Sequence, residues 1–210
     1  MTNLILASRS PRRLRLLEEA GFSPVPLPAD LDDSDLAPTL APPAHWVTAL
    51  AYLKARRVAE TGGAGESLAV LGADTVVVKD GRVIGQPRDA DHAREIIASL
   101  SGGAHDVLTG VALLRAGRPR RLLVDAARVE VGEIPAGEIE SYVSSGEWRG
   151  KAGAYNLADR QRAGWPVRTS GDPGTVMGLP MRRLTPILRG LFSGAETTDI
   201  SSVDSPESRP

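Results

Sequence analysis

Between Leu68 and Val78 the chain is apolar at every position except Gly72, Asp74 and Thr75. The β-branched residues of this run, and the turn Lys79-Asp80-Gly81-Arg82 that closes it, predict a buried strand with Arg82–Ile84 returning as a hairpin. Such a strand needs partners to pair with and helices to cover it. The flanking segments supply both. Leu4–Ala7 is a second, shorter apolar run. Ser10-Pro11 opens a helix, Ser10 as N-cap and Pro11 in the first turn, which carries Leu14, Leu17 and Glu18 and ends at Gly21. Ala44–Glu60 predicts a helix striped by Val47, Leu50, Ala51 and Val58. Asp89–Leu100 predicts another, with Ala93, Ile96, Ile97 and Leu100 on one side. Val107–Arg115 and Leu122–Val131 predict paired strands about Gly117-Arg118-Pro119, and Pro135–Ser144 and Pro180–Phe192 predict helices. Pro24–Pro43 holds six prolines and four aspartates and predicts loop or extended chain. Gly150–Gly178 is glycine-rich and predicts mostly loop with one strand. Strands alternating with helices, one pair antiparallel, give an α/β domain with a mixed sheet flanked by helices.

Length and composition narrow the function classes. A chain of 210 residues fits one domain. We expect it over residues 1–192, with the polar stretch 193–210 as a disordered tail. The absence of cysteine excludes disulfides, thiolate metal sites and cysteine nucleophiles. A net charge of −1, from 25 basic and 26 acidic residues, lacks the basic excess of a nucleic-acid binder. The first apolar run is too short for a signal-peptide core, and no run approaches the roughly 18 apolar residues of a membrane span. A soluble, cytoplasmic protein is expected, with neither nucleic acid nor membrane as partner. His45, His92 and His105 are too widely spaced for a zinc motif.

Several residues sit where only chemistry favours them. In Ser8-Arg9-Ser10-Pro11-Arg12-Arg13 a strand gives way to a helix, whose open N–H groups and positive dipole end suit an anion. Arg12 and Arg13 oppose that dipole unless an anion lies between them, and Ser8 and Ser10 add hydroxyls. Asp74 interrupts an apolar strand, where a carboxylate is tolerated as a general base, as a metal ligand, or as an acceptor of backbone hydrogen bonds. Lys54 falls on the apolar stripe of its helix, so it either snorkels to water or enters a polar pocket. Asp30, Asp32, Asp33 and Asp35 are clustered carboxylates, suited to a divalent ion or to solvent. Asp89 after Gly85-Gln86-Pro87-Arg88 is a helix cap. Gly150 and Gly153 flank Lys151 in a segment that can approach a ligand closely, and Lys151 can meet phosphate. The set suits a polyanion with a metal. There is no Gly-x-x-x-x-Gly-Lys-Ser/Thr loop and no Gly-x-Ser-x-Gly elbow.

Taken in order, Leu4–Arg13 (LILASRSPRR), Asp32-Asp33, the Lys54 segment, Leu71–Val76 (LGADTV), Gly85–Asp89, Leu100–Gly110 (LSGGAHDVLTG), Lys151–Tyr155 (KAGAY) and Val176–Met181 (VMGLPM) resemble the Maf family of nucleoside triphosphate pyrophosphatases. The resemblance spans about residues 4–190. It implies a Maf/ITPase-like fold with a cleft between two lobes, a homodimer, and hydrolysis of a nucleoside triphosphate to the monophosphate and pyrophosphate with a divalent metal, Mg²⁺ or Mn²⁺. It implies Asp74 as proton acceptor, Asp33 and Asp74 at the metal, and Ser8, Arg12, Arg13, Lys54, Thr75 and Lys151 at the substrate. Arg12 and Thr75 match the branch selective for dTTP and UTP. Ala158 stands where that branch has a glutamine, and Gln86 where it has a lysine. The competing expectation is a nucleotide-binding regulator of cell division with weak or no catalysis.

Overall fold

The computed structural model describes residues 3–31, 41–61 and 68–193. Asp32, Asp33, Asp35 and the tail beyond Ser193 lie outside the described residues. In chain order the elements are β1 (Asn3–Ala7), α1 (Pro11–Glu19), β2 (Val25–Pro26), α2 (Pro43–Thr61), β3 (Leu68–Lys79), β4 (Arg82–Ile84), α3 (Ala90–Leu100), β5 (Gly103–Arg115), β6 (Arg121–Val131), α4 (Ala136–Ser145), a 3-10 turn (Ala152–Ala154), α5 (Leu157–Arg162), β7 (Val167–Ser170), α6 (Pro173–Met177) and α7 (Met181–Ser193).

The strands form one mixed sheet in the order β2-β1-β3-β5-β6-β7, with β4 also paired to β3. β1 runs parallel to β2 and β3, and the pairs from β3 onward are antiparallel. The expected mixed α/β architecture is what the chain adopts. The run Leu68–Val78 is its central strand.

Helix α2 covers one face of the sheet through Val47, Leu50, Ala51, Ala55 and Val58. Two glycines let it settle there. A Cβ on Gly72 would lie 2.2 Å from the Ala51 carbonyl oxygen, and one on Gly110 would lie 2.6 Å from that of Val47. Helix backbone therefore rests directly on sheet backbone. The opposite face carries two apolar layers. Leu4, Leu6 and Leu71 pack with Leu17 of α1 and Leu184 and Leu188 of α7. Val77, Val107 and Val129 pack with Ile96 and Ile97 of α3 and Tyr142 of α4. Residues 71 and 77 of β3 share a face by the two-residue alternation of a strand. The long strands thus run beneath both layers.

Helix starts follow the expected caps. Ser10 Oγ accepts from the Arg13 N–H at 3.5 Å, and Asp89 accepts from the His92 N–H at 2.7 Å. Two expectations need correction. β5 begins at Gly103 rather than Val107, because Gly103 and Ala104 already pair with Val131 and Glu130. The span Gly150–Gly178 is not mostly loop but holds the 3-10 turn, α5, β7 and α6. Helices of five or six residues are too short to display an apolar period. Their caps were the available signal: Asn156 accepts from the Asp159 N–H at 3.2 Å, and Asp172 precedes Pro173 and accepts from the Gly174 N–H at 2.8 Å. Helix α7 runs to Ser193. Among the described residues no helix is long and apolar enough to cross a membrane.

Candidate active site

The site opens where β1 stops. β1 accompanies β3 as far as the pair Ala7 and Gly72, and β4 joins the same edge only at Val77. Between them the edge of β3 from Ala73 to Val76 has no strand beside it among the described residues. The loop Ser8-Arg9-Ser10 turns away there into α1. Crevices at strand ends where the chain changes direction are where open α/β sheets hold ligands. Here the crevice is a cleft of about 570 Å³, lined by Ser8, Arg12, Arg13, Lys54, Asp74 and Thr75 among others. Six of the expected site residues therefore converge.

Asp74 lies on the α2 side of β3, in phase with Gly72. Lys54 reaches it from α2, with Nζ donating to Asp74 Oδ1 at 2.6 Å. Both sequence anomalies have one cause: the lysine in the apolar stripe and the carboxylate in the apolar strand are partners. Both remain partly open to the cleft, with side-chain exposures of 18% and 12%. A pair held this tightly fixes the carboxylate in place without closing it off from a ligand.

Thr75 lies on the other side of β3. Arg13 meets it there, with Nη2 donating to Thr75 Oγ1 at 2.9 Å, Nη1 to Ser8 Oγ at 3.1 Å and Nε to the Gly178 carbonyl at 2.9 Å. Ser8 Oγ accepts a second bond from the Ser10 N–H at 3.2 Å, so its own proton is left to donate. Burial pulls the Arg13 guanidinium below its usual range, the charge of Asp74 opposes that, and Arg12 adds to it. Among the described residues no carboxylate pairs with Arg12. Its charge lowers the pKa of Lys151 as well, behind the larger lowering from burial and against the raising by Asp159 and Glu147. Cations pressed together at a helix start form an anion site.

Lys151 is not in the cleft wall. Its Nζ lies 3.8 Å from Asp159 Oδ2, while its neighbours Gly150 and Ala152 face the cleft. Of the acidic loop, Asp30 is described. It lines the cleft mouth and accepts from Arg9. The described residues contain no cluster of three or more side chains able to hold a metal. Asp74 is the described carboxylate that fits one, since Mg²⁺ binds through one or two carboxylates together with substrate phosphates.

Two wall residues, Arg149 and Tyr155, were not singled out from the sequence, and Gln86 was singled out only as a departure from a lysine. Arg149 stacks its guanidinium 4.6 Å from the centre of the Trp148 ring, which is itself fixed by Nε1 donating to the Val143 carbonyl at 2.9 Å. Gln86 enters through the turn before α3, and the Gly85 carbonyl accepts from the Gly153 N–H at 3.0 Å, joining the Gln86 and Lys151 segments. Tyr155 shares a 2.8 Å hydrogen bond with His105 Nε2. Burial pushes His105 down to about 4 and pushes the Tyr155 phenol up. Ala158 is absent from the cleft lining.

A dTTP/UTP pyrophosphatase of Salinibacter ruber is 42% identical over 193 residues, covering 90% of this chain and 91% of that protein. One from Bacillus cytotoxicus is 40% identical over 200 residues, covering 93% and 98%. Among solved structures, a HAM1 protein from Coxiella burnetii overlays with a TM-score of 0.49 at 16% identity, covering 90% of this chain and 99% of that one. The model of the family described as Maf-like protein matches residues 3–191, which takes in every element from β1 to α6 and nearly all of α7. With that match and relatives at this identity, the chain belongs to the Maf-like family.

Proposed function

We propose that this protein hydrolyses a nucleoside triphosphate to the monophosphate and pyrophosphate. The observation that carries the reading is Asp74, held by Lys54 in a cleft whose wall also presents Arg12, Arg13 and the Ser8 hydroxyl. A phosphate chain lies against the arginine wall, and water stands on the Asp74 side of the α-phosphorus. Asp74 takes the proton as the water oxygen bonds to phosphorus. The bond from the α-phosphorus to the bridging oxygen breaks, and its electron pair leaves with pyrophosphate. Lys54 offsets the charge of the attacking side, and Arg12 and Arg13 that of the leaving side. Asp74, with Asp33 as a further ligand, would hold a divalent ion, Mg²⁺ or Mn²⁺, together with the phosphates, and the ion would supply Lewis-acid charge neutralisation. Thr75 orients Arg13, and Lys151 shapes the wall through its neighbours.

The names of the relatives support dTTP or UTP as substrate, and Arg12 and Thr75 support the same choice. A cytoplasmic homodimer is part of this reading. The test is pyrophosphate release from a panel of triphosphates, wild type beside Asp74→Asn. Wild-type turnover that falls by about 10³-fold or more in a folded Asp74→Asn protein is the expected result. Full turnover in Asp74→Asn removes Asp74 as the proton acceptor. Because Gln86 brings an amide where a charge was expected, a nucleotide sensor is the second reading. Tight triphosphate binding without pyrophosphate release favours it.

A further inference from the structure

Behind Arg13 a line of hydroxyls crosses the sheet. Thr75 Oγ1 lies 2.9 Å from Thr109 Oγ1, on the facing residue of β5. Thr109 Oγ1 lies 2.7 Å from the Thr175 carbonyl in α6. Thr175 Oγ1 lies 2.6 Å from Asp125 Oδ2 on β6, and Asp125 pairs with Arg183 of α7 at 3.4 Å. Thr109 and Thr175 have no exposed surface.

The direction of every proton in this line follows from its ends. A carbonyl oxygen only accepts, so Thr109 donates to Thr175. A hydroxyl has one proton, so Thr109 has none left for Thr75. Thr75 must therefore donate to Thr109. Only lone pairs of Thr75 then face the cleft, and Arg13 Nη2 is the donor that meets them. With this order Thr75 cannot donate a hydrogen bond to a phosphate oxygen. Its task is to accept from Arg13, and Thr109 is what imposes that task. Turning the Thr109 hydroxyl toward Thr75 would strip the Thr175 carbonyl of this donor, and turning the Thr75 hydroxyl toward the cleft would set it donor to donor against Arg13.

We propose that Thr109, anchored on α6, is a positioning residue that sets the polarity of Thr75 and through it aims the Arg13 guanidinium at the substrate phosphates. This rests on the proposed hydrolysis for its catalytic consequence, though not for the geometry. The strand positions of both threonines explain why the feature is compact. They are directly opposite in the antiparallel ladder and on the same face, the arrangement in which cross-strand hydroxyl pairs meet.

The experiment combines kinetics with a readout that needs no turnover. Thr109→Val keeps the β-branched shape and removes the hydroxyl, and Thr109→Ser restores it. Pyrophosphate release is measured for both, and for Thr109→Val in a Thr75→Val background. We expect Thr109→Val to lower kcat by about tenfold to a hundredfold with KM changed by less than about threefold. Thr109→Ser should recover to within about threefold of wild type. In the Thr75→Val background the Thr109→Val effect should shrink to less than about threefold, because the residue it acts through is gone. Independently, NMR of the guanidinium N–H groups, with Arg13 assigned by Arg13→Lys, should show hydrogen exchange at least about tenfold faster in Thr109→Val than in wild type and Thr109→Ser.

Unchanged exchange in folded Thr109→Val, or equal Thr109→Val effects in both backgrounds, overturns the positioning role. If the wild type hydrolyses no triphosphate, the hydrolase reading fails, and the exchange measurement still decides the relay.

Discussion

Acid should weaken this fold through one side chain. His105 is 1% exposed, and burial moves its pKa from the ordinary 6.5 to about 4, helped by Lys79, opposed by Asp106 and helped again by Arg128. The folded protein thus holds a neutral imidazole where the unfolded chain would take up a proton. A folded pKa below the unfolded one means stability that is complete above about pH 6.5 and drains away as the pH falls toward 4. Between pH 7 and pH 4.5 the loss is about 2.5 kcal/mol. His105→Gln keeps an amide that can meet the Tyr155 hydroxyl but has nothing to titrate. Urea unfolding of both proteins across this range isolates the effect: the stability of wild type minus that of His105→Gln should fall by about 2.5 kcal/mol on acidification. A difference that stays constant to within about 0.5 kcal/mol refutes the burial argument. Since Tyr155 lines the cleft, the same titration should raise KM in acid for the wild type and leave it flat in the variant.

Gly72→Ala should destabilise by at least about 3 kcal/mol, read from the urea midpoint, because its Cβ would meet the backbone of α2 rather than a movable side-chain end. Asp172 accepts from the Gly174 and Arg182 N–H groups, both at 2.8 Å, tying the starts of α6 and α7 together. Asp172→Ala should cost about 2 kcal/mol, measured the same way. Arg149→Gln should raise KM for a triphosphate by about threefold to tenfold with kcat unchanged, an effect that fades as salt is added. An unchanged KM at low salt would take Arg149 out of the binding wall.

What could be read from the sequence depended on whether a residue broke a local rule. Asp74 in an apolar strand, Lys54 in an apolar stripe and two arginines at a helix start all violate the preferences of their own elements. Each was visible before the structure, and each lines the cleft. Thr109 and Thr175 break no such rule. A threonine in a strand, such as Thr109, is what β-propensity favours, and its partners 34 and 66 residues away leave no mark on its neighbours. Gly72 and Gly110 likewise read as weak spots in strands until α2 is seen lying on them. A lysine between glycines suggested phosphate, and the Asp159 that lies 3.8 Å from Lys151, on a helix too short to be foreseen, gave no signal of its own. Arg149 had no signal beyond following a tryptophan. Asp33, whose role was read from resemblance, lies outside the described residues.

The gap beside β3 has a consequence for motion. On its other edge β3 is laddered to β5 without a break from Ala69 to Val78. Asp74 therefore sits in backbone that can open only when the central ladder opens, and its amide should exchange with solvent no faster than the whole molecule unfolds. The turn Ala152–Ala154 and the start of α5 also line the cleft: Gly153 donates its N–H to the Gly85 carbonyl, Tyr142 donates to the Ala154 carbonyl, and Asn156 caps α5. The proposed proton acceptor is therefore anchored in the central ladder, while the gap beside it leaves the other edge of the same strand, among the described residues, facing the cleft.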